Sequence, residues 1–334
     1  MSSIVIGVTL GDPGGIGPEL AARVADDPPA GVSPLLFGTE AALEQGAVRA
    51  GIDAAALADR LRPCPGPSDV PVGEPSRAAG ECALEAIRTA VECAQRREIA
   101  ALVTAPICKA SFALAGVDHP GHTELLAKLC GADRVGMVFV AQGLRVALLT
   151  THISVAEVPE RVSKGSVLGC IRLLHGALES EFGERDVPIR VAGLNPHLGE
   201  RGLFGREEID SIAPAVEAAR NQGIQASGPD RIEEVLAPSG VGTPLRGVVA
   251  LYHDQALAPL KMIHGLDMVN VTVGLPIVRT SPDHGTAFEL VGSGRASVAG
   301  MSLAMEWAKR LHRVREARRA GRERAGHGTG NLAQ

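Results

Sequence analysis

Short apolar runs, each about as long as a β-strand, recur along this chain, and helical periodicity or a helix-start signal follows most of them. The first run, residues 3–10, leads into the glycine-rich segment GDPGGIGPEL, which indicates strand, loop and helix in succession. Longer segments at 76–99, 166–182 and 206–222 have the pattern of helices. Because strands that alternate with helices pack into a largely buried sheet, the sequence predicts an α/β fold.

The length and charge of the chain narrow its partners. Its 334 residues favour two domains, or one two-lobed unit, over a single small core. The formal net charge of −5 gives no basis for binding nucleic acid or an anionic membrane surface. There is no apolar run of about 18 residues and no signal-peptide pattern, so we expect a cytoplasmic protein without a membrane partner. The six cysteines are scattered without metal-ligand spacing, and we expect free thiols.

Three histidines follow three of the apolar runs at equivalent places. His152 follows ALLTT, His197 follows AGLNP and His253 follows GVVALY. Ligands of open α/β sheets bind beyond the carboxyl ends of the strands, where residues distant in sequence converge. Three imidazoles there would form a divalent-metal site with positions open for a substrate oxygen. The alternative for any one of them is a capping or hydrogen-bonded histidine, but the repeated position favours the metal site.

Two further stretches carry groups suited to an anionic ligand. His122 or Thr123 lies at or near a predicted helix N-terminus, where N–H groups and hydroxyls hold anions, although Thr123 also fits a simple N-cap. Downstream, Lys261, Asn270 and Arg279 supply two cations and an amide donor. This combination fits a phosphorylated carboxylate as substrate.

The glycine-rich segment GDPGGIGPE lacks the spacing G-x-G-x-x-G and argues against a Rossmann fold. With six further segments, it makes the chain resemble the 4-hydroxythreonine-4-phosphate dehydrogenase family of vitamin B6 biosynthesis over almost its whole length. Those segments are TAPICK, PGHTE, TTHISV, GLNPHLGE, YHDQALAPLK and VNVTVGLPIVRTSPDHGTAFELVGSGRA. The resemblance implies the two-lobed α/β fold of isocitrate and isopropylmalate dehydrogenases, since GDPGGIGPE is similar to their GDGIGPE. DHGTAFELVG is similar to their HGSAPDIAG loop, which cradles the adenosine of the nicotinamide cofactor.

The resemblance also implies how the chain is divided and assembled. Residues 1–120 and 270–334 would form a cofactor-side lobe. Residues 121–269 would form a middle lobe that carries the metal ligands and the dimer interface. The expected assembly is a homodimer whose active sites are completed across that interface.

Roles follow for the residues at matching positions. The ligands of one divalent metal ion, Zn, Mg or Co, would be His152, His197 and His253. The implied substrate contacts are His122, Thr123, Lys261, Asn270 and Arg279. Three residues are candidates for proton handling, and the sequence does not choose among Lys109, Asp254 and Lys261. The implied cofactor-binding residues are Gly11, Asp12, Gly274, Asp283, His284, Gly285, Thr286, Ala287 and Glu289.

The implied activity is NAD-dependent, metal-assisted oxidation of the 3-hydroxyl of 4-hydroxy-L-threonine phosphate. The 3-oxo acid then loses CO₂ to give 3-amino-2-oxopropyl phosphate, a step of pyridoxine biosynthesis. The cofactor loop has acids at both ends, Asp283 and Glu289, and no cation inside it, so we predict NAD rather than NADP.

Two alternatives stay open. Leu198 stands where the family pattern carries alanine beside a metal histidine, which leaves room for 4-phospho-D-threonate or 4-phospho-D-erythronate as substrate in sugar-acid catabolism. An alternative of another class is a non-catalytic regulator that binds metal or phosphate on the same scaffold. Because both the metal and the cofactor positions are retained, we expect an enzyme.

Overall fold

The computed structural model of the chain describes residues 3–119, 121–237 and 244–328, so Pro120 of the PGHTE segment and residues 329–334 lie outside it. Across these residues, eleven strands pair into one sheet. In chain order they are β1 (Ile4–Thr9), β2 (Val32–Gly38), β3 (Leu61–Pro63), β4 (Ala101–Thr104), β5 (Gly136–Ala141), β6 (Leu144–Leu148), β7 (Ile189–Ala192), β8 (Ala226–Asp230), β9 (Arg246–Ala250), β10 (Val269–Val273) and β11 (Arg279–Pro282).

The sheet has an antiparallel centre between two parallel parts. Its order is β3-β2-β1-β4-β11-β10-β5-β6-β9-β7-β8. β10 is antiparallel to both β11 and β5, and β5 is antiparallel to β6. All other pairs are parallel, so the two outer parts run in opposite directions. The order β3-β2-β1-β4 matches the start of a Rossmann sheet, but the antiparallel centre does not. The predicted α/β fold is therefore confirmed, and its strand order is not that of a Rossmann fold.

Helices connect most of the strands. They are α1 (Gly17–Asp26), α2 (Glu40–Ala50), α3 (Arg77–Gln95), α4 (Lys109–Leu114), α5 (His122–Cys130), α6 (Val158–Arg161), α7 (Lys164–Ser180), α8 (Ala213–Arg220), α9 (Ile232–Leu236), α10 (His253–His264) and α11 (Ala299–Gly328). Short 3₁₀ turns lie at Ala54–Arg60, Val155–Glu157, Pro196–Gly202 and Phe288–Leu290, and a π turn lies at Glu208–Ile212.

The helices predicted at 76–99 and 166–182 are found as α3 and α7, whereas the segment 206–222 divides into the π turn and α8. The cap of α3 shows why it begins where it does, since the Ser76 hydroxyl accepts a hydrogen bond from Ala79 N at 3.1 Å. The proline-rich stretch 59–75 contains the edge strand β3.

Side chains of each strand alternate between the two faces of the sheet, and the cores on the two faces differ. In β4, Ala101 and Val103 belong to a core that continues under both parallel parts on one face. Leu102 belongs to a smaller core on the other face, together with Phe112 of α4. A separate core on that second face surrounds Phe139 of β5. The two cores of the second face leave the centre of the sheet between them for polar side chains.

Among the described residues, no helix is both long and apolar enough to cross a membrane. The core on the first face is continuous from one parallel part to the other. The division into lobes of 1–120 with 270–334 and of 121–269 stays a prediction.

Candidate active site

The antiparallel centre of the sheet forms the floor of a cavity of about 310 Å³. Directly paired residues on three neighbouring strands share one face, so they form rows across the sheet. The two rows are Met137–Thr272–Arg279 and Phe139–Asn270–Ser281. The register of β5, β10 and β11 thus places an arginine and an amide beside apolar side chains.

Loops that follow the strands, together with the starts of three helices, form the walls. Eleven of the residues predicted from the sequence line this one cavity, although they are spread over most of the chain. They are Lys109, His122, Thr123, His152, His253, Lys261, Asn270, Arg279, Asp283, His284 and Gly285. The structure therefore brings together the predicted substrate contacts, two of the three metal histidines and part of the cofactor loop.

Arg279 is a buried cation whose side-chain hydrogen bonds go only to neutral hydroxyl groups. Its Nη1 donates to Thr272 Oγ1 at 2.9 Å and its Nη2 donates to Thr104 Oγ1 at 2.6 Å. Within the described ranges, Arg279 Nε has no hydrogen-bond partner and no carboxylate lies within ion-pair distance of the guanidinium. Burial lowers the pKa of Arg279 to about 9, and the field of Glu124 opposes that shift. A buried charge without a counterion is costly, so this site favours a bound anion.

Other polar atoms of the cavity residues also have no hydrogen-bond partner among the residues that the structure describes. They include His122 Nε2, at the start of α5, and Asn270 Oδ1. Burial, and then the charge of Arg279, hold the pKa of His122 well below its usual range, so the imidazole is neutral at physiological pH. A neutral imidazole can donate from its N–H to a ligand oxygen. Thr123 follows in the first turn of the same helix and lines the cavity as predicted.

His152 and His253 lie side by side at the ends of neighbouring strands. Their ring centroids are 6.0 Å apart. Asp254 Oδ1 lies 2.6 Å from Nδ1 of His253, which leaves Nε2 of that ring free for another contact. Burial and the charge of Lys109 lower the pKa of His152, which keeps its imidazole neutral and able to act as a ligand. These two histidines fit two ligand positions of a divalent cation.

His197 lies apart from this pair. It is exposed and lines a neighbouring cavity with Leu198 and Asp254. Its turn has a left-handed backbone from His197 (φ 53°) to Arg201 (φ 58°), an unusual conformation for residues other than glycine. Among the described residues, no three His, Cys, Asp or Glu side chains are grouped so that they could hold one metal ion. The three-histidine site therefore stays a prediction.

The three candidates for proton handling occupy different places. Lys109 and Lys261 both line the main cavity, and Nζ of Lys261 lies 3.4 Å from Oδ2 of Asp283. Burial raises the pKa of the Asp283 carboxyl, whereas the charge of Lys261 lowers it. Asp254 lines the neighbouring cavity and is engaged with His253. Its position suits orientation of the histidine better than contact with a substrate.

The first glycine-rich loop and the downstream cofactor loop meet. Ile16 N donates to Thr286 O at 3.0 Å, and a side chain at Gly15 would come within 2.8 Å of the same carbonyl oxygen. Asp12 is fully buried: its carboxylate accepts from Gly14 N at 2.8 Å and from Ser111 Oγ at 2.7 Å. It therefore holds the loop to α4.

The remaining predicted cofactor residues have backbone roles or lie on the surface. Gly11 (φ 73°) and Gly274 (φ 87°) both require glycine, since a side chain there would collide with backbone carbonyl oxygens at 2.4 and 2.1 Å. Ala287 adopts a left-handed conformation (φ 43°), and Glu289 is exposed. The cofactor contacts stay predictions.

Three polar residues that act on Arg279 were not predicted from the sequence. Thr104 and Thr272 hold Arg279, and Glu124 lines the cavity and acts on both Arg279 and His152 through its charge. Thr104 ends a buried strand, a position that could have been noticed. Nothing in the sequence relates Thr272 to Arg279, because their pairing depends on the register of β10 and β11.

Comparisons with known proteins identify the family of this chain. Residues 32–308 match the family described as "Pyridoxal phosphate biosynthetic protein PdxA". A 4-hydroxythreonine-4-phosphate dehydrogenase from Trichlorobacter lovleyi is 40% identical over 93% of this chain and 98% of its own. A D-threonate 4-phosphate dehydrogenase from Bordetella bronchiseptica is 39% identical over 94% of this chain and 95% of its own. The crystal structure of 4-hydroxythreonine-4-phosphate dehydrogenase from Klebsiella pneumoniae has a TM-score of 0.79 and 35% identity, and covers 93% of this chain and 100% of its own.

These relatives confirm the predicted fold class and the prediction of an oxidoreductase. The match extends over nearly the whole chain and includes the segments that line the cavity. The chain belongs to the PdxA family.

Proposed function

We propose that the chain oxidises the 3-hydroxyl of 4-hydroxy-L-threonine phosphate with NAD and a divalent metal ion, and that the product decarboxylates to 3-amino-2-oxopropyl phosphate. The observation that carries the proposal is Arg279, a buried guanidinium with only hydroxyl partners, facing a cavity. A phosphorylated substrate would supply the missing anion.

The groups around Arg279 suit a phosphate ester. His122 and Asn270 line the same cavity, and the N–H of one and the amide of the other can donate to phosphate oxygens. Lys261, at the cavity wall, adds a second cation. Met137 and Phe139 on the floor are apolar and would strengthen these polar contacts by lowering the local dielectric constant.

His152 and His253 are the residues that would hold the metal, with His197 as the proposed third ligand. The imidazole set matches the preference of Zn²⁺ and Co²⁺, and Asp254 would orient His253. When bound, the metal would lower the pKa of the substrate hydroxyl, while NAD would accept the hydride. Lys109 and Lys261, which line the cavity, would take or return the hydroxyl proton.

The proposal also covers the position of the cofactor, the assembly of the protein and its location in the cell. The cofactor would lie along the loop Asp283–Glu289, which meets the glycine-rich loop through Ile16. The protein would act as a homodimer with shared active sites, and it would be cytoplasmic. Light scattering of the active protein tests the dimer, and a fully active monomer would refute it.

4-Phospho-D-threonate or 4-phospho-D-erythronate is the second candidate substrate. The similarity to the D-threonate 4-phosphate dehydrogenase, at 39% identity, is nearly equal to the 40% of the 4-hydroxythreonine-4-phosphate dehydrogenase. All three compounds carry a phosphate and a carboxylate, so the Arg279 region suits each of them. Leu198 lies in the neighbouring cavity, not in the main one, so it does not separate these substrates by direct contact.

The test is NADH formation from each of the three phosphorylated compounds, with and without added Zn²⁺, Mg²⁺ or Co²⁺. The proposed substrate should give the highest kcat/KM, and His253→Ala should abolish most turnover and metal binding. His175→Ala on α7, away from the cavity, is the matched control and should keep both. A higher kcat/KM with a phosphorylated sugar acid would make that compound the substrate instead. Full activity of His253→Ala without metal would refute the metal site.

A further inference from the structure

The three strand ends that precede the histidines are tied together by two buried side chains. The strands concerned, β6, β9 and β7, are neighbours in the sheet in that order. The Thr150 hydroxyl donates to Leu251 O at 2.7 Å, which reinforces the backbone bond of 3.2 Å from Thr150 N to the same oxygen at the ends of β6 and β9. Gln255 accepts from Leu251 N at 2.7 Å and donates through Nε2 to Gly193 O at 2.7 Å. Both side chains are buried, so water does not compete for these bonds.

The bonds lie close to the histidines along the chain. Thr150 precedes His152 by two residues, and Leu251 precedes His253 by two residues. Both backbone polar groups of Leu251 are used: its carbonyl accepts from the hydroxyl and the N–H of Thr150, and its N–H donates to Gln255. Displacement of this residue would therefore move His253 relative to His152.

The link to β7 is longer. Gly193, whose carbonyl binds Gln255, is followed by Leu194 and Asn195, and both of their backbone N–H groups donate to Glu208 Oε1 at 2.7 Å. Glu208 is itself buried. Hydrogen bonds therefore hold the segment before His197 at Gly193, Leu194 and Asn195, whereas His197 itself is exposed.

We infer that Thr150 and Gln255 are positioning residues that set the distance between the metal-binding histidines. The inference rests on the proposed metal site and adds residues that do not touch the metal. Loss of partners that orient metal ligands typically weakens metal affinity by about 10- to 100-fold. A purely structural role would lower the unfolding temperature but leave the metal affinity of the folded protein unchanged.

The experiment is calorimetric titration of the metal-free, full-length protein with Co²⁺, together with thermal unfolding of each variant. Thr150→Val and Gln255→Met remove the side-chain bonds with little change of volume and keep the backbone bond from residue 150 to Leu251 O. Both variants should bind Co²⁺ about 10- to 100-fold more weakly. Thr150→Ser keeps the hydroxyl and should restore the affinity of the wild-type protein. Thr280→Val is the matched control, since the Thr280 hydroxyl makes a similar buried bond, 2.8 Å to Ala304 O, away from the histidines.

If Gln255→Met does not fold, Thr150→Val still tests the inference, because the Thr150 hydroxyl binds the carbonyl of Leu251 and the glutamine binds its N–H. Wild-type affinity in folded Thr150→Val, while His253→Ala loses Co²⁺ binding, would overturn the inference and leave the proposed metal site intact. Equal weakening in Thr280→Val would also overturn it. If the wild-type protein binds no Co²⁺, the metal site and the inference fail together.

Discussion

Replacement of Arg279 by methionine tests the part of the site on which the proposed function depends most. Methionine fills similar space without the charge, so the cavity should lose its main phosphate contact. We expect kcat/KM for the phosphorylated substrate to fall steeply, mainly through KM. The fold should persist, because burial of this cation is costly and an apolar replacement removes that cost.

The magnitude follows from the donors that remain available. Thr272 and Thr104 each engage one N–H of Arg279, which leaves Nε and further N–H groups for a ligand. Two hydrogen bonds to a charged group contribute about 3–6 kcal/mol together, at about 1.5–3 kcal/mol each. At about 1.4 kcal/mol per factor of ten, kcat/KM should fall about a hundredfold to ten-thousandfold.

The assay compares NADH formation from the phosphorylated substrate and from its dephosphorylated form, in the wild-type protein and in Arg279→Met. If Arg279 binds the phosphate, the preference of the wild-type protein for the phosphorylated form should disappear in the variant. Arg88→Met, which removes an exposed arginine on α3, should retain that preference. An equal loss with both forms of the substrate would refute the reasoning, because Arg279 would then act on something other than phosphate.

Three further predictions concern the histidine pair, the cofactor and the backbone. Asp254→Asn should weaken Co²⁺ affinity about tenfold, because its carboxylate orients His253, and unchanged affinity in calorimetry would contradict this. NAD should exceed NADP about tenfold or more in kcat/KM, because a 2′-phosphate would meet Glu289; equal values would show that the ribose contact lies elsewhere. Gly274→Ala should lower the free energy of unfolding by more than about 2 kcal/mol in urea titration, since its Cβ would lie 2.1 Å from a carbonyl oxygen. Gly31→Ala is the control, because Gly31 has a similar φ but no atom near the position of the added Cβ. It should lower the free energy of unfolding by less.

Much of the site could be predicted from the sequence, because the type and order of residues determine which chemical groups are present and which strands and helices carry them. The alternation of apolar runs with helical segments predicted the α/β fold. The glycine spacing argued against a Rossmann fold, and the strand order agrees with that prediction. The positions of His152, His197 and His253 after apolar runs predicted that the three would converge. The ring centroids of His152 and His253 lie 6.0 Å apart, whereas His197 lines a neighbouring cavity. Likewise Lys261, Asn270 and Arg279 were predicted as anion-binding groups and line one cavity.

The tertiary structure alone decided which neighbours these residues have. Because the central strands pair antiparallel, the cavity lies on the face of β5, β10 and β11. In a wholly parallel sheet it would lie beyond the strand ends. The pairing of Arg279 with Thr272 and Thr104, and the link from Gln255 to Gly193, join residues far apart in the chain. Register is set by the packing of whole strands, so a one-residue shift would reverse every side chain, and no local pattern encodes that choice.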